Sequence, residues 1–96
     1  MRSSRDRPDK AQELMPLLRR CLEVCQESGN RLRESWALVL LGGALVDALQ
    51  YVEAVPVNQR AVVACRALGY AQGLRHAMSQ LEKAERGLRW GDPRRY

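Results

Sequence analysis

Three cysteines and one histidine are the side chains of this chain best suited to bind a metal ion. Cys21 and Cys25 lie one helical turn apart, so their thiolates would share one helix face. Structural zinc takes about four ligands, which leaves Cys65 and His76 to complete a site. Cys25 and Cys65, however, lie 40 residues apart, the period of an internal repeat, and this equivalence favours small core residues. The sequence therefore predicts no metal site.

Catalytic groups are equally sparse. Glu82 and Glu85 lie three residues apart among basic neighbours, which is typical of surface ion pairs rather than of an acid–base dyad. No serine or cysteine motif pairs with His76 as a nucleophile. Gly42-Gly43 lacks the following Lys-Ser or Lys-Thr of a phosphate loop, so close helix approach explains it better. We therefore expect no enzyme activity, no catalytic residue and no cofactor.

The formal net charge of +5 is spread along the 96 residues with opposite signs interleaved. Nucleic-acid binding would need the cations gathered on one face, so a solvated surface is the better interpretation and nucleic acid is not an expected partner. Fourteen of the sixteen basic residues are arginine, a bias that indicates a GC-rich bacterial genome.

The N-terminal residues carry no apolar stretch that would indicate secretion, and three cysteines suggest reduced thiols. The longest uncharged stretch, Ser35 to Val46, is too short for the ~20 residues of a membrane span. We expect a cytoplasmic protein without membrane contact.

Apolar periodicity predicts an all-α fold of about four antiparallel helices, over residues 12–28, 31–49, 52–68 and 71–88. Gly29 and Gly69 are expected to close the first and third helices, and Asn30 to cap the second. Pro16 and Pro56 are expected near helix starts, where a missing amide hydrogen costs little. These patterns divide the chain into a disordered lead (1–11), a helical domain (12–88) and a frayed basic tail (89–96).

The chain also matches itself at an offset of 40 residues. Eight identities appear without a gap: Glu13/Glu53, Pro16/Pro56, Arg20/Arg60, Cys25/Cys65, Gly29/Gly69, Ala37/Ala77, Leu41/Leu81 and Ala44/Ala84. A period of this size indicates stacked helical units, which usually form binding surfaces.

Small and large residues alternate through the middle of the chain, at Leu41-Gly42, Leu45, Ala54 and Ala61. This arrangement resembles the tetratricopeptide repeat, a helix–turn–helix whose small residues let its two helices approach closely. Residues 31–68 match best, within a resemblance that covers 12–88. The 40-residue period exceeds the standard ~34 and is similar to long variants in bacterial signalling ATPases and transcriptional regulators. HEAT and armadillo units have periods of about 40–47 residues and are the competing interpretation of this repeat.

The resemblance implies an α-α superhelix whose first helices line a concave groove for a peptide or helix. The implied groove residues are Trp36, Val39, Gly43, Val46, Asp47, His76, Ser79, Lys83 and Arg86. An apolar floor beside cations suits an acidic, apolar segment. The alternative for Trp36 is simple packing against a neighbouring helix.

Two functions follow as expectations. The first is a non-enzymatic protein-interaction module that binds a protein or peptide partner in its groove. The second is a self-associating sensor or regulatory fragment of a larger bacterial transcriptional regulator. It is suggested by the presence of only one complete unit where solenoids usually need three, which also makes a homodimer an expectation.

Overall fold

The chain folds into four α-helices in this computed structural model, which describes residues 3–90, with side chains described for residues 13–89. The helices are α1 (Ser3–Ser28), α2 (Arg31–Asp47), α3 (Tyr51–Leu68) and α4 (Ala71–Trp90). Residues 3–90 contain no β-strand. The predicted all-α fold with four helices is therefore confirmed.

The three turns between helices share one hydrogen-bond pattern. After α1, the Gly29 amide donates to the Gln26 carbonyl and the Asn30 amide to the Cys25 carbonyl, which are acceptors three and five residues back. The turns after α2 and α3 repeat both bonds at their own positions. Each turn places one residue in the left-handed region, and a glycine there avoids a steric cost. Gly29 and Gly69 close their helices as predicted.

The turn after α2 departs from this glycine rule. Leu49 occupies its left-handed position with φ 63°. A non-glycine residue in this conformation costs on the order of 1 kcal/mol, which the surrounding fold must offset. At the start of α2, Asn30 acts as the predicted cap, because its side-chain oxygen accepts from the Arg33 amide at 3.1 Å.

Helix α2 lies at the centre of the packing. It packs against α1, α3 and α4, and α3 in turn packs against α4. Its side chains therefore need apolar surface on several sides, which explains why α2 is apolar almost all round. The core that results contains, from α2, Ala37, Leu38, Val39, Leu41, Ala44 and Leu45.

The contact between α2 and α3 is close at Gly42. A Cβ atom at this position would collide with the side chain of Asn58, which is itself fully buried on α3. Ala54 and Ala61, on the same helix, are also fully buried. Small residues on both helices thus allow an approach that larger side chains would prevent.

Helix α1 begins at Ser3, whereas the apolar pattern predicted a start near Gln12. Pro16 consequently lies inside α1 rather than near its start, and Pro56 is the sixth residue of α3. The missing amide hydrogen of each proline removes one helical bond, and the helix continues through both positions. The division into lead, helical domain and tail stays a prediction, and residues 1–2 and 91–96 lie outside the described residues.

Candidate docking surface

Helices α2 and α4 carry the nine predicted groove residues, and the two helices are in contact. Gly43 lies at this contact: the Gln80 side-chain nitrogen is 3.1 Å from the point where a Cβ at Gly43 would lie. The glycine therefore gives the Gln80 side chain room beside α2. This contact places α2 and α4 side by side where Gly43 and Gln80 meet.

Trp36 is the large aromatic residue of this surface. Its side chain is 38% exposed. The ring also packs edge-on against Tyr70 just before α4, with centroids 5.3 Å apart and ring planes at 61°. Edge-to-face pairs of this kind add about 0.5–1.5 kcal/mol beyond area burial. The indole is thus both held in place and accessible, so packing and docking are compatible roles.

The other α2 residues of the predicted set differ in accessibility. Val39 is only 3% exposed and belongs to the core, so it offers no surface to a partner in this structure. Val46 is partly buried and packs against the same core, and Asp47 is exposed at the helix end. Of the five α2 residues in the set, Trp36 and Asp47 are therefore the exposed ones.

The predicted α4 residues all lie on its exposed surface: His76, Ser79, Lys83 and Arg86. Their spacing of three, four and three residues places them along one helix face. Arg86 pairs with Glu82 at 3.2 Å, but both side chains are about two-thirds exposed, so the pair stabilises the helix only weakly. Lys83 forms no ion pair among the described side chains, and it contributes a cation to this face.

Gln80 is a residue of this region that the sequence did not single out. Its side-chain oxygen is buried and has no hydrogen-bond partner among the described residues. A buried acceptor without a donor costs about 1–3 kcal/mol. No sequence pattern points to this feature, because it depends on how closely α4 approaches Gly43.

A separate open cavity of about 440 Å³ lies between α2 and α3. It contains none of the nine predicted groove residues. Its lining is mainly apolar with one acid and one base: Glu34, Leu38, Pro56, Gln59, Arg60, Val63 and Ala64. Glu34 already accepts a long hydrogen bond of 3.4 Å from Gln26, so its carboxylate is partly engaged.

The cysteines take the positions expected of packing residues. Cys25 and Cys65 are buried, as predicted, whereas Cys21 is exposed. Burial, aided by the neighbouring Cys21 thiol, raises the pKa of Cys25. Burial also raises the pKa of Cys65, although a contact with Ser35 partly opposes it. Among the side chains of residues 13–89, no three His, Cys, Asp or Glu residues group as metal ligands would.

These positions predict a large difference in thiol reactivity. We expect iodoacetamide to modify Cys21 in the folded protein at least about tenfold faster than Cys25 or Cys65, since the buried thiols are shielded and held protonated. Peptide mass spectrometry after timed alkylation measures the three rates. In denaturant the rates should converge, and equal rates in the folded protein would contradict the burial of Cys25 and Cys65.

No protein-family model, curated protein or solved structure matches this chain. No helix within residues 3–90 is long and apolar enough to cross a bilayer.

Proposed function

We propose that this chain is a non-enzymatic protein-interaction module of the tetratricopeptide type, which docks a peptide or helix on the joint face of α2 and α4. The observation that carries the proposal is Trp36, accessible on this face and held against Tyr70. A fixed, partly exposed tryptophan is a frequent anchor of protein interfaces, because it offers a large contact area at little conformational cost.

The helix packing supports the tetratricopeptide type. Helices α2 and α3 form a hairpin whose closest approach uses small residues, with Gly42 facing Asn58 and with Ala54 and Ala61 fully buried. The 40-residue repeat makes α4 the equivalent of α2, and these two first helices contact each other as neighbouring units of a solenoid do.

The charges of the face favour an acidic, apolar ligand. Lys83 and Arg86 follow one face of α4, and His76 lies about two turns before Lys83, towards the start of the helix. Asp47 provides the opposing charge at the end of α2. An extended or helical segment that places an apolar side chain on Trp36 and carboxylates near Lys83 would complement both features.

A binding assay with matched variants tests this proposal. Peptides are first selected from a random phage-displayed library on the folded protein, and their affinities are measured by fluorescence anisotropy. Trp36→Ala should weaken binding roughly tenfold or more, the loss typical of an interface anchor. Lys83→Glu should weaken the binding of acidic peptides. Added salt should reduce the difference in affinity between this variant and the wild type, because salt screens the charges.

Val63→Ala is the matched control, because Val63 is an exposed apolar residue on α3 outside this face. The affinity of the Val63→Ala variant for the selected peptides should equal that of the wild type. Circular dichroism should show that all variants are folded. Selected peptides whose affinity falls with Val63→Ala and not with Trp36→Ala would reject the proposed face.

A further inference from the structure

Helix α1 carries an exposed apolar row that the proposed docking face does not use. We call it the α1 stripe; it consists of Leu14, Leu17, Cys21 and Val24, spaced three, four and three residues apart. None of the four belongs to the core. Leu17 is 67% exposed, so the stripe presents substantial apolar surface.

Helix α4 carries an apolar row with the same spacing. We call it the α4 stripe; it consists of Ala71, Leu74, Met78 and Leu81. Ala71 is exposed and Met78 is 51% exposed, whereas the two leucines are half-buried. Within the described part of one chain, α1 and α4 do not pack against each other. Neither stripe is therefore covered by the other stripe of its own chain.

A charged series runs beside each stripe, and the two series have opposite signs. On α1 the order is negative, positive, negative: Glu13, Arg20 and Glu27. On α4 the order is positive, negative, positive: Arg75, Glu82 and Arg89. All six side chains are exposed. Both series repeat every seven residues, about two helical turns, so each forms a charged edge along its stripe.

One parallel register of the two helices aligns the apolar residues of both stripes. It forms four layers of facing residues: Leu14 with Ala71, Leu17 with Leu74, Cys21 with Met78, and Val24 with Leu81. The next α4 position in the row is Glu85, which comes opposite Ser28 at the end of α1. The four layers therefore contain no charged side chain.

The same register also pairs the charged edges. In a parallel helix pair, the residue before a core position on one helix and the residue after a core position on the other lie on the same side. The α1 series precedes its core positions and the α4 series follows its own. The pairs that result are all of opposite charge: Glu13 with Arg75, Arg20 with Glu82, and Glu27 with Arg89.

A second copy of the chain must supply the partner helix. Successive helices joined by short turns run antiparallel, so α1 and α4 of one chain point in opposite directions. The parallel register consequently joins α1 of one copy to α4 of another. The contact is heterologous, because it brings together two different surfaces of identical chains.

Pairing of like stripes is less favourable. An antiparallel pair of α1 stripes brings Glu13 beside the Glu27 of the other copy and the two Arg20 side chains together. An antiparallel pair of α4 stripes sets Arg75 beside Arg89 and joins two Glu82 side chains in the same way. Like charges at these edges select against both pairs, whereas the parallel pair of α1 with α4 has opposite charges throughout.

We propose that the chain self-associates through the α1 stripe of one copy and the α4 stripe of another, packed in parallel and selected by the three charge pairs. The apolar layers supply most of the affinity, and the exposed ion pairs fix the partner helix and the register. Glu82 already pairs with Arg86 within α4, but this pair is exposed and leaves the carboxylate accessible to Arg20. No residue of the α2–α4 docking face belongs to either stripe, so this inference and the proposed function can fail separately.

Exchange of the central charge pair tests the proposal on the intact 96-residue chain. Light scattering during size-exclusion chromatography measures the mean mass over a range of concentrations, in reducing buffer because Cys21 is exposed. The wild-type mass should rise with concentration above that of one chain. Arg20→Glu and Glu82→Arg should each weaken self-association by about two- to tenfold at low salt, since each sets like charges together. The double variant has opposite charges again and should associate as the wild type does.

Serine substitutions test the apolar layers. Leu17→Ser and Met78→Ser should each weaken self-association roughly tenfold, because one buried apolar side chain is lost from the contact. Val63→Ser, at a side chain as exposed as Leu17, is the matched control and should change nothing. Arg60→Glu is the control for charge, because Arg60 is exposed and is the repeat equivalent of Arg20 on α3. All these positions are exposed, so circular dichroism should show native helicity in every variant.

Three results would overturn the proposal. One is a wild-type mass that stays at one chain over the whole concentration range. Another is a double variant that associates no better than its two parent variants. The third is self-association that Leu17→Ser abolishes and that neither Met78→Ser nor Glu82→Arg changes, which would show that two α1 stripes pair with each other. Trp36→Ala should leave self-association at the wild-type level, so a loss of peptide binding in that variant reports on the docking face alone.

Discussion

We expect Gly42→Ala to lower the free energy of unfolding by about 1–3 kcal/mol, the usual cost of overpacking a close contact. The added methyl group would collide with the side chain of Asn58, which is fully buried and donates a hydrogen bond of 2.9 Å to the Ala54 carbonyl. Alanine is a better helix former than glycine, yet the gain of up to about 1 kcal/mol is smaller than the steric cost. Urea denaturation followed by circular dichroism measures the change.

The neighbouring glycine is a matched control. At Gly43 a methyl group would meet only the end of the flexible Gln80 side chain, at 3.1 Å, so Gly43→Ala should be close to neutral. Equal effects at the two glycines would contradict the close approach of α2 and α3. The reason is that both substitutions share the gain in helix propensity and differ only in the neighbour they meet.

Removal of the opposing side chain should rescue the Gly42 variant. Asn58→Ala removes a hydrogen bond of 2.9 Å to the Ala54 carbonyl, but it also removes a buried oxygen without a partner. In the double variant, the methyl group at position 42 occupies the vacated volume. The two effects should therefore be non-additive by about 1 kcal/mol or more in the stabilising direction.

A second large effect is expected at Leu45. This side chain is 0% exposed on α2, the helix that contacts all three others. Leu45→Ala should lower the free energy of unfolding by about 2–5 kcal/mol, which combines the lost burial and the cavity that remains. The free energy of unfolding of a domain of this size is about 5–15 kcal/mol in total. The variant should therefore unfold at a markedly lower urea concentration than the wild type.

Leu40→Ala on the same helix provides the comparison. Leu40 is 52% exposed, and its truncation should change the stability by no more than about 0.5 kcal/mol. Helix propensity is nearly the same in both substitutions, so the difference reports burial alone. Similar losses at positions 40 and 45 would contradict the placement of α2 at the centre of the fold.

The helices themselves could be predicted because their signals are local. Gly29 and Gly69 mark two turns, and apolar periodicity marks the segments between them. Leu49 at positive φ could not be predicted, since the expected residue in that position is glycine. The early start of α1 at Ser3 was likewise missed, because polar residues carry no apolar periodicity.

The orientation of α1 depends on its neighbours and not on its own pattern. Its apolar residues form a band too wide to say which part faces α2. The structure buries Met15 and Leu22 and leaves Leu14 and Leu17 exposed. The packing of α1 against α2, which no spacing along α1 encodes, decides which part of the band stays open.

For the docking face too, the repeat in the sequence predicted which helices carry the residues, whereas contacts between helices decide which of those residues are accessible. The repeat placed Trp36 and Lys83 on helices that meet, but it could not show that Val39 is buried in the core. The partners Tyr70 and Gln80 were missed for a related reason. Each is defined by its distance to α2 across the contact, which no spacing along the chain encodes.

Mapping of a bound peptide by NMR tests the α2–α4 docking face most directly. ¹⁵N-labelled protein is titrated with the library-selected peptide of highest affinity, and amide and indole shifts are followed. We predict that the largest shifts occur at the Trp36 indole and at the amides of Gly43, Ser79 and Lys83. Shifts confined to the cavity between α2 and α3, around Arg60 and Val63, with the Trp36 indole unchanged, would contradict docking on this face.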